Sequence, residues 1–144
     1  MGGVTGHRSV LLVQDDDALR ASLAADMRRA GLDVVEAETA YDAVYLLRQR
    51  PFDVVVTDVV LPGDGLHVLS ETRARWPELP VLVVTACRRS TVLARAGSSA
   101  FGILLEPFAL ADFRDLLARA LAVTGSASTG GRRPRCSRRA RRGR

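Results

Sequence analysis

The chain alternates between two patterns of apolar and polar residues. Short runs of aliphatic residues, mostly β-branched, are typical of buried strands, and the clearest is Val54-Val55-Val56. The segments between these runs repeat apolar residues every three or four positions, which is typical of amphipathic helices. The pattern therefore predicts five strand–helix pairs. The predicted strands are residues 9–13, 33–37, 53–58, 81–85 and 100–105, and the predicted helices are residues 17–30, 40–50, 65–75, 90–96 and 109–123.

This alternation predicts the arrangement of the strands. Strands that alternate with helices form parallel sheets, with helices covering both faces. Right-handed crossovers leave few topologies, and the usual order for five such strands is 2-1-3-4-5. The predicted fold is an α/β, flavodoxin-like (βα)5 sandwich of three layers around a parallel five-stranded sheet.

The helices carry their own boundary signals. In the first helix Leu19, Leu23 and Met27 share the inner face, and Asp26 is predicted to lie outside. Gly31 is expected to end this helix. The predicted amino-terminal caps are Asp16 or Asp17 for the first helix, Thr39 for the second and Asp64 for the third.

Composition divides the chain near residue 123. Residues 8–123 are predicted to form the folded domain, and residues 124–131, made of Gly, Ser, Thr and Ala, are typical of a flexible linker. All 16 acidic residues precede this point, whereas eight of the 21 basic residues, every one an arginine, follow it. The basic tail at 132–144 has no apolar periodicity and is expected to be disordered.

Cysteine usage and apolar length bear on the compartment. Cys87 and Cys136 lie in different sequence contexts and indicate no disulfide framework. The first eight residues lack the apolar centre of a signal peptide, and no apolar run approaches the ~20 residues of a membrane span. We expect a cytoplasmic protein with no membrane partner.

Polar side chains with useful chemistry follow three of the predicted strands. Asp15 follows the first strand, Asp58 ends the third, and Thr85 ends the fourth. Parallel strands would bring these ends to one edge of the sheet, where open α/β folds bind ligands. Each residue also has a simpler interpretation, as a helix-terminal acid, a solvated strand-end acid and a β-branched strand residue respectively.

Four segments together carry a family resemblance. They are residues 10–20 (VLLVQDDDALR), residues 53–69 (DVVVTDVVLPGDGLHVL), residues 80–86 (PVLVVTA) and the tripeptide Glu106-Pro107-Phe108. In this order and spacing the chain resembles, over about residues 8–123, the receiver domain of bacterial two-component response regulators. The resemblance implies phosphoryl transfer from a histidine to an aspartate, assisted by Mg²⁺.

The resemblance assigns roles residue by residue. It implies that Asp58 is the phosphoacceptor and a metal ligand, and that Asp15 binds Mg²⁺ directly. Val60 would add its backbone carbonyl to the metal, and Gln14 would hold it through a water molecule. Thr85 would donate its hydroxyl to the phosphoryl oxygens.

Two residues depart from the family pattern. Gln14 replaces the first acid of the metal-binding pair, so Mg²⁺ is expected to bind more weakly. Glu106 replaces the lysine that contacts the phosphoryl group, and like charges at short range repel. A solvated surface acid remains the alternative for Glu106, and Arg88 is a candidate for compensating its charge. The loop at 61–65 is one residue short.

The resemblance implies a receiver in phosphorelay signalling rather than an enzyme, and we expect it to be stand-alone because no DNA-binding effector domain is recognisable after residue 123. Its expected partners are a sensor histidine kinase or phosphotransfer protein, a downstream protein and a second copy in a homodimer. The first alternative is a degenerate receiver that binds partners without phosphorylation. A phosphatase-like hydrolase would need a second acid where Val60 stands. The arginine tail could instead bind nucleic acid by charge, or it could be a solvated extension without a role.

Overall fold

The computed structural model describes residues 7–127. Its strands are β1 (Ser9–Val13), β2 (Asp33–Ala37), β3 (Val54–Thr57), β4 (Val81–Thr85) and β5 (Gly102–Leu105). Its helices are α1 (Asp17–Arg29), α2 (Ala40–Gln49), α3 (Gly65–Arg75), α4 (Ser90–Gly97) and α5 (Leu110–Ala127). The five predicted strand–helix pairs are confirmed, and none of the described helices has the length and apolar character needed to cross a membrane.

The sheet is wholly parallel, with the order β2-β1-β3-β4-β5. This confirms the predicted flavodoxin-like topology. Alternate side chains of each strand enter opposite layers, because successive side chains of a strand point to opposite faces. On one face Leu11, Val55 and Val83 pack with α2, α3 and α4. On the other face Leu12 and Val56 pack with α1 and α5.

The caps predicted at the amino-terminal ends of α1 and α2 are observed. The Asp16 side chain accepts a hydrogen bond from the Leu19 N–H, and the Thr39 side chain accepts one from the Asp42 N–H. Gly31 follows α1 with a φ of +90°, which lets the Leu32 N–H return to the Met27 carbonyl at 3.1 Å. This is the geometry that favours glycine after a helix.

Asp26 corrects one expectation. The helical period predicts that it lies on the outer face of α1, but it is buried and accepts three hydrogen bonds from Arg114 of α5. The shortest, from Arg114 Nη2 to Asp26 Oδ1, measures 2.6 Å. Helical periodicity assigns a face but does not reveal that a second helix covers it, so the ion pair between α1 and α5 was missed.

The end of α5 corrects a second expectation. The predicted helix ends at residue 123, where the linker was expected to begin, but α5 continues to Ala127. Thr124 is buried and donates to the Leu121 carbonyl. Arg8 donates to the same carbonyl and to Thr124 Oγ1, tying the start of β1 to this last part of the helix. The remainder of the predicted linker and the arginine tail lie outside the described residues.

Asp26→Asn tests the pair between α1 and α5. Hydrogen bonds from Arg114 hold the pKa of the Asp26 carboxyl below its ordinary value. The ionised carboxylate therefore stabilises the fold above the pKa of an unfolded aspartate, about 4, and this stabilisation is lost as pH falls through the lowered pKa. We expect the variant to unfold at lower urea concentration at pH 7, with the deficit shrinking below about pH 4.

Asp115→Asn is the matched control, because Asp115 pairs with Arg119 on the exposed side of α5. An exposed pair of this kind contributes little. Equal losses of stability in the two variants at pH 7 would contradict the role assigned to Asp26.

Candidate functional site

The pairing of β1 with β3 creates the candidate site. Val13 lies opposite Thr57, so the next residues, Gln14 and Asp58, emerge side by side. The Asp58 N–H donates to the Val13 carbonyl at 3.2 Å, which continues the ladder beyond the assigned strands. Asp15 is the next residue along the chain from Gln14 and is exposed.

Asp58 is held in a nearly buried position. Its side chain is 8% exposed, and its Oδ1 accepts a hydrogen bond from the Val60 N–H at 3.0 Å. The second oxygen, Oδ2, faces the side-chain amide of Gln14, with Nε2 at 3.5 Å. That distance is at the outer limit of a hydrogen bond, so Oδ2 is the less engaged oxygen of the carboxylate.

Gln14 is fixed by contacts at both its side chain and its backbone. Its Oε1 accepts from the Asp16 N–H at 3.0 Å, and its carbonyl accepts from Arg20 Nη1 at 2.7 Å. Arg20 also pairs with Asp17 and with Glu36 of the edge strand β2. Sequence reasoning missed Arg20, although an arginine one turn after an acidic cap is the signal that could have identified it.

Thr85 and Glu106 complete the edge on the side of β4 and β5. Thr85 is fully buried, its Oγ1 accepts from the Cys87 N–H at 3.1 Å, and its carbonyl accepts from the Glu106 N–H at 2.8 Å. Burial raises the pKa of the Glu106 carboxyl above its ordinary value, and the charges of Asp58 and Asp16 raise it further. Glu106 therefore shares the electrostatic environment of Asp58.

Arg88 lies near Glu106 without neutralising it. Its Nη2 donates to the Glu106 backbone carbonyl at 2.8 Å, and its side chain is exposed. Within the described residues none of the four nearby acids forms an ion pair; these acids are Asp15, Asp16, Asp58 and Glu106. The proposed compensation by Arg88 stays a prediction.

The loop between β3 and α3 is packed against the strand end. An added Cβ on Gly65 would lie 2.2 Å from the Asp58 carbonyl oxygen, so only glycine fits there. Gly63, with a φ of +89°, lies under the ring of Tyr41, and the Ala40 N–H donates to the Pro62 carbonyl at 2.9 Å. The start of α2 thus holds this loop, a contact that the sequence did not indicate.

The donors at this edge suit a hard cation. Mg²⁺ prefers oxygen ligands, with one or two carboxylates and several waters. Asp15 and Asp58 carry carboxylates and the Val60 backbone carries a carbonyl, so the residue types at this edge fit the ion. Within residues 7–127 no group of three or more His, Cys, Asp or Glu side chains is arranged to hold a metal by itself. Backbone and solvent oxygens would have to complete any such site.

An apolar groove runs beside this edge, with a volume of about 550 Å³. Its walls come from α1 and from the connection between β5 and α5, and Glu106 lies at its border. The apolar lining side chains are Leu19, Leu23, Ala86, Pro107, Phe108 and Leu110.

Comparison with known proteins gives consistent matches. The family model described as the response regulator receiver domain matches residues 10–118. The response regulator protein FleR of Pseudomonas aeruginosa is 38% identical over 114 residues, which are 76% of this chain and 24% of FleR. This chain therefore spans about a quarter of the length of that relative.

Two solved structures resemble the fold closely. The non-phosphorylated HemR receiver domain from Leptospira biflexa aligns at a TM-score of 0.72 with 30% identity, over 80% of this chain and 94% of that one. The receiver domain of the sensor histidine kinase PA1611 from Pseudomonas aeruginosa PAO1 aligns at 0.74 with 23% identity, over 81% and 98%. The second structure is described with a magnesium ion coordinated in its active site cleft.

Gly65→Ala tests the packing of the loop against Asp58. The added methyl group would overlap the Asp58 carbonyl, and overpacking of this kind costs about 1–3 kcal/mol of unfolding free energy. Gly97→Ala is the control, because its Cβ would meet only Ile103 at 3.9 Å. We expect urea unfolding to show a loss for the first variant and no loss for the second. Equal stabilities would refute the close packing at Gly65.

Proposed function

The chain belongs to the response regulator receiver domain family, and on that premise we propose that it accepts a phosphoryl group on Asp58 in two-component signalling. The observation that carries this proposal is the position of the Asp58 carboxylate. It is nearly buried at the end of β3, with Oδ1 tied to the Val60 N–H and Oδ2 only weakly engaged. A carboxylate held in this way presents one oxygen as a nucleophile.

The proposed reaction uses that oxygen directly. Asp58 Oδ2 attacks the phosphorus of a phosphohistidine on a sensor kinase or phosphotransfer protein. The new P–O bond forms as the P–N bond breaks, and the imidazole leaves. Catalysis of such a transfer depends on positioning and charge stabilisation more than on covalent help. The Val60 N–H supplies positioning, because it fixes the rotation of the carboxylate.

We assign supporting roles to the surrounding residues. The Thr85 hydroxyl already accepts from the Cys87 N–H, which leaves its proton free to donate to a phosphoryl oxygen. Asp15, Asp58 and the Val60 carbonyl would hold Mg²⁺, with Gln14 orienting a bound water. When bound, the ion would offset negative charge that develops on the transferring group.

The partners follow from the surface around Asp58 and from the family. Glu106 lines the apolar groove and follows β5 at the same edge of the sheet as Asp58, so a phosphodonor protein seated in the groove would lie beside the candidate site. Receiver domains act as signalling modules, and we propose that output occurs through contact with a downstream protein or a second receiver.

The first prediction from the proposed function concerns Asp58 as the phosphoacceptor. Incubation with a small-molecule phosphodonor and Mg²⁺, followed by intact mass spectrometry, should give a single phosphoryl adduct. Asp58→Asn should abolish it, because an amide cannot serve as the acceptor. The control is Asp33→Asn, an exposed acid at the opposite edge of the sheet, which should leave the adduct unchanged. Wild-type protein without an adduct from any donor would instead favour a degenerate receiver.

The second prediction concerns Glu106. Its carboxylate shares the environment of Asp58, so its charge opposes a dianionic phosphoryl group. We expect Glu106→Gln to raise the steady-state phosphorylated fraction, expressed as a ratio to unmodified protein, by severalfold, because it removes a neighbouring like charge. Glu106→Lys should raise it further. Glu78→Lys adds the same positive charge in the exposed turn before β4, and a similar gain there would show that only net charge matters.

A further inference from the structure

The acids at the candidate site share a local excess of negative charge. Asp15, Asp16, Asp58 and Glu106 all lie around this edge, and within the described residues none of them forms an ion pair. Arg20 of α1 directs its guanidinium to Asp17, Glu36 and the Gln14 carbonyl. Arg88 donates to the Glu106 backbone carbonyl and forms no ion pair with these carboxylates, so negative charge predominates at the site.

Gln14 occupies the centre of this arrangement. It is 3% exposed, its Nε2 faces Asp58 Oδ2 at 3.5 Å, and its Oε1 accepts from the Asp16 N–H at 3.0 Å. The amide thus presents a donor to one neighbour and an acceptor to the other. A carboxylate in the same position could accept from Asp16 but could only repel Asp58.

The free-energy cost of an acidic residue at position 14 depends on the charge of the residue at position 106. An isosteric glutamate would place a second buried carboxylate oxygen against Asp58 Oδ2. Glu106 lies at the same edge, because its N–H donates to the carbonyl of Thr85 at the end of β4, the strand that pairs with β3. Repulsion between close charges is large where solvent is excluded. A neutral or cationic residue 106 would remove part of that repulsion.

We propose that Gln14 is a positioning residue for Asp58 and that its neutral amide is matched to Glu106, so that positions 14 and 106 are energetically coupled through the Asp58 carboxylate. The inference deepens the proposed function, because it concerns the cleft in which Asp58 would be phosphorylated. Gln14 and Glu106, which both depart from the family pattern, therefore depend on each other energetically. They are not two independent losses of function.

A double-mutant cycle on the full chain tests the coupling. Gln14→Glu, Glu106→Gln and the double variant change charge with almost no change of shape. Urea unfolding is measured at pH 7 in EDTA, without phosphodonor. We expect Gln14→Glu to raise the unfolding equilibrium constant roughly tenfold in the native background, and at least about threefold less in the Glu106→Gln background.

Gln49→Glu is the matched control, because Gln49 is the other glutamine of the chain and is exposed at the end of α2. The loss of unfolding free energy in Gln49→Glu should be small and should not depend on the residue at position 106. Rescue by Glu106→Gln distinguishes coupling from a purely structural role of Gln14, which neutralising residue 106 would not restore.

Each outcome decides the question. Coupling is supported if the cycle is non-additive as described, or if Gln14→Glu fails to fold while the double variant folds. It is overturned if Gln14→Glu changes the unfolding equilibrium constant by factors that agree within about twofold in the two backgrounds. It is also overturned if neither Gln14→Glu nor the double variant folds, or if Gln49→Glu shows the same non-additivity with Glu106→Gln. Absence of phosphorylation would refute the proposed function but leave this cycle unaffected, because no phosphodonor is used.

Discussion

The parallel pairing of β1 with β3 is the constraint on which the candidate site depends. The ladder continues one step past both strands through the hydrogen bond from the Asp58 N–H to the Val13 carbonyl. That step places Gln14 beside Asp58, although 44 residues separate them in the sequence. A shift of the register by one residue would turn Asp58 toward the opposite layer, because side chains alternate between the faces of a strand.

The surroundings of Asp58 explain why its carboxylate is held in one orientation and why neighbouring acids repel it. The Val60 N–H fixes one carboxylate oxygen, and the loop behind it is pressed so closely on the strand end that Gly65 has no room for a Cβ. Glu106 lies at the same edge of the sheet, and burial together with the charges of Asp58 and Asp16 raises the pKa of its carboxyl. The site therefore combines precise positioning of the acceptor with an electrostatic environment that opposes added negative charge.

Arginine connects several parts of this small domain. Arg20 joins the carbonyl of Gln14 to Glu36 on the edge strand, so the loop after β1 is tied to the sheet. Arg114 joins α5 to α1 through Asp26, and Arg8 joins the start of β1 to the end of α5. Each guanidinium reaches a backbone or side-chain oxygen on a different element, which suits its planar array of donors.

The sequence by itself determined the order of the elements and most of their boundaries, and it predicted the residues of the candidate site. Strand and helix periods differ, and caps such as Asp16 and Thr39 lie beside the turns that they stabilise, so local residues carry that information. Only the tertiary structure decided the burial of Asp26, the extension of α5, the contact of Tyr41 with Gly63, the approach of Gln14 to Asp58 and the raised pKa of Glu106. These features arise between elements that are distant in the chain, and their energies depend on packing and charge that no local pattern encodes.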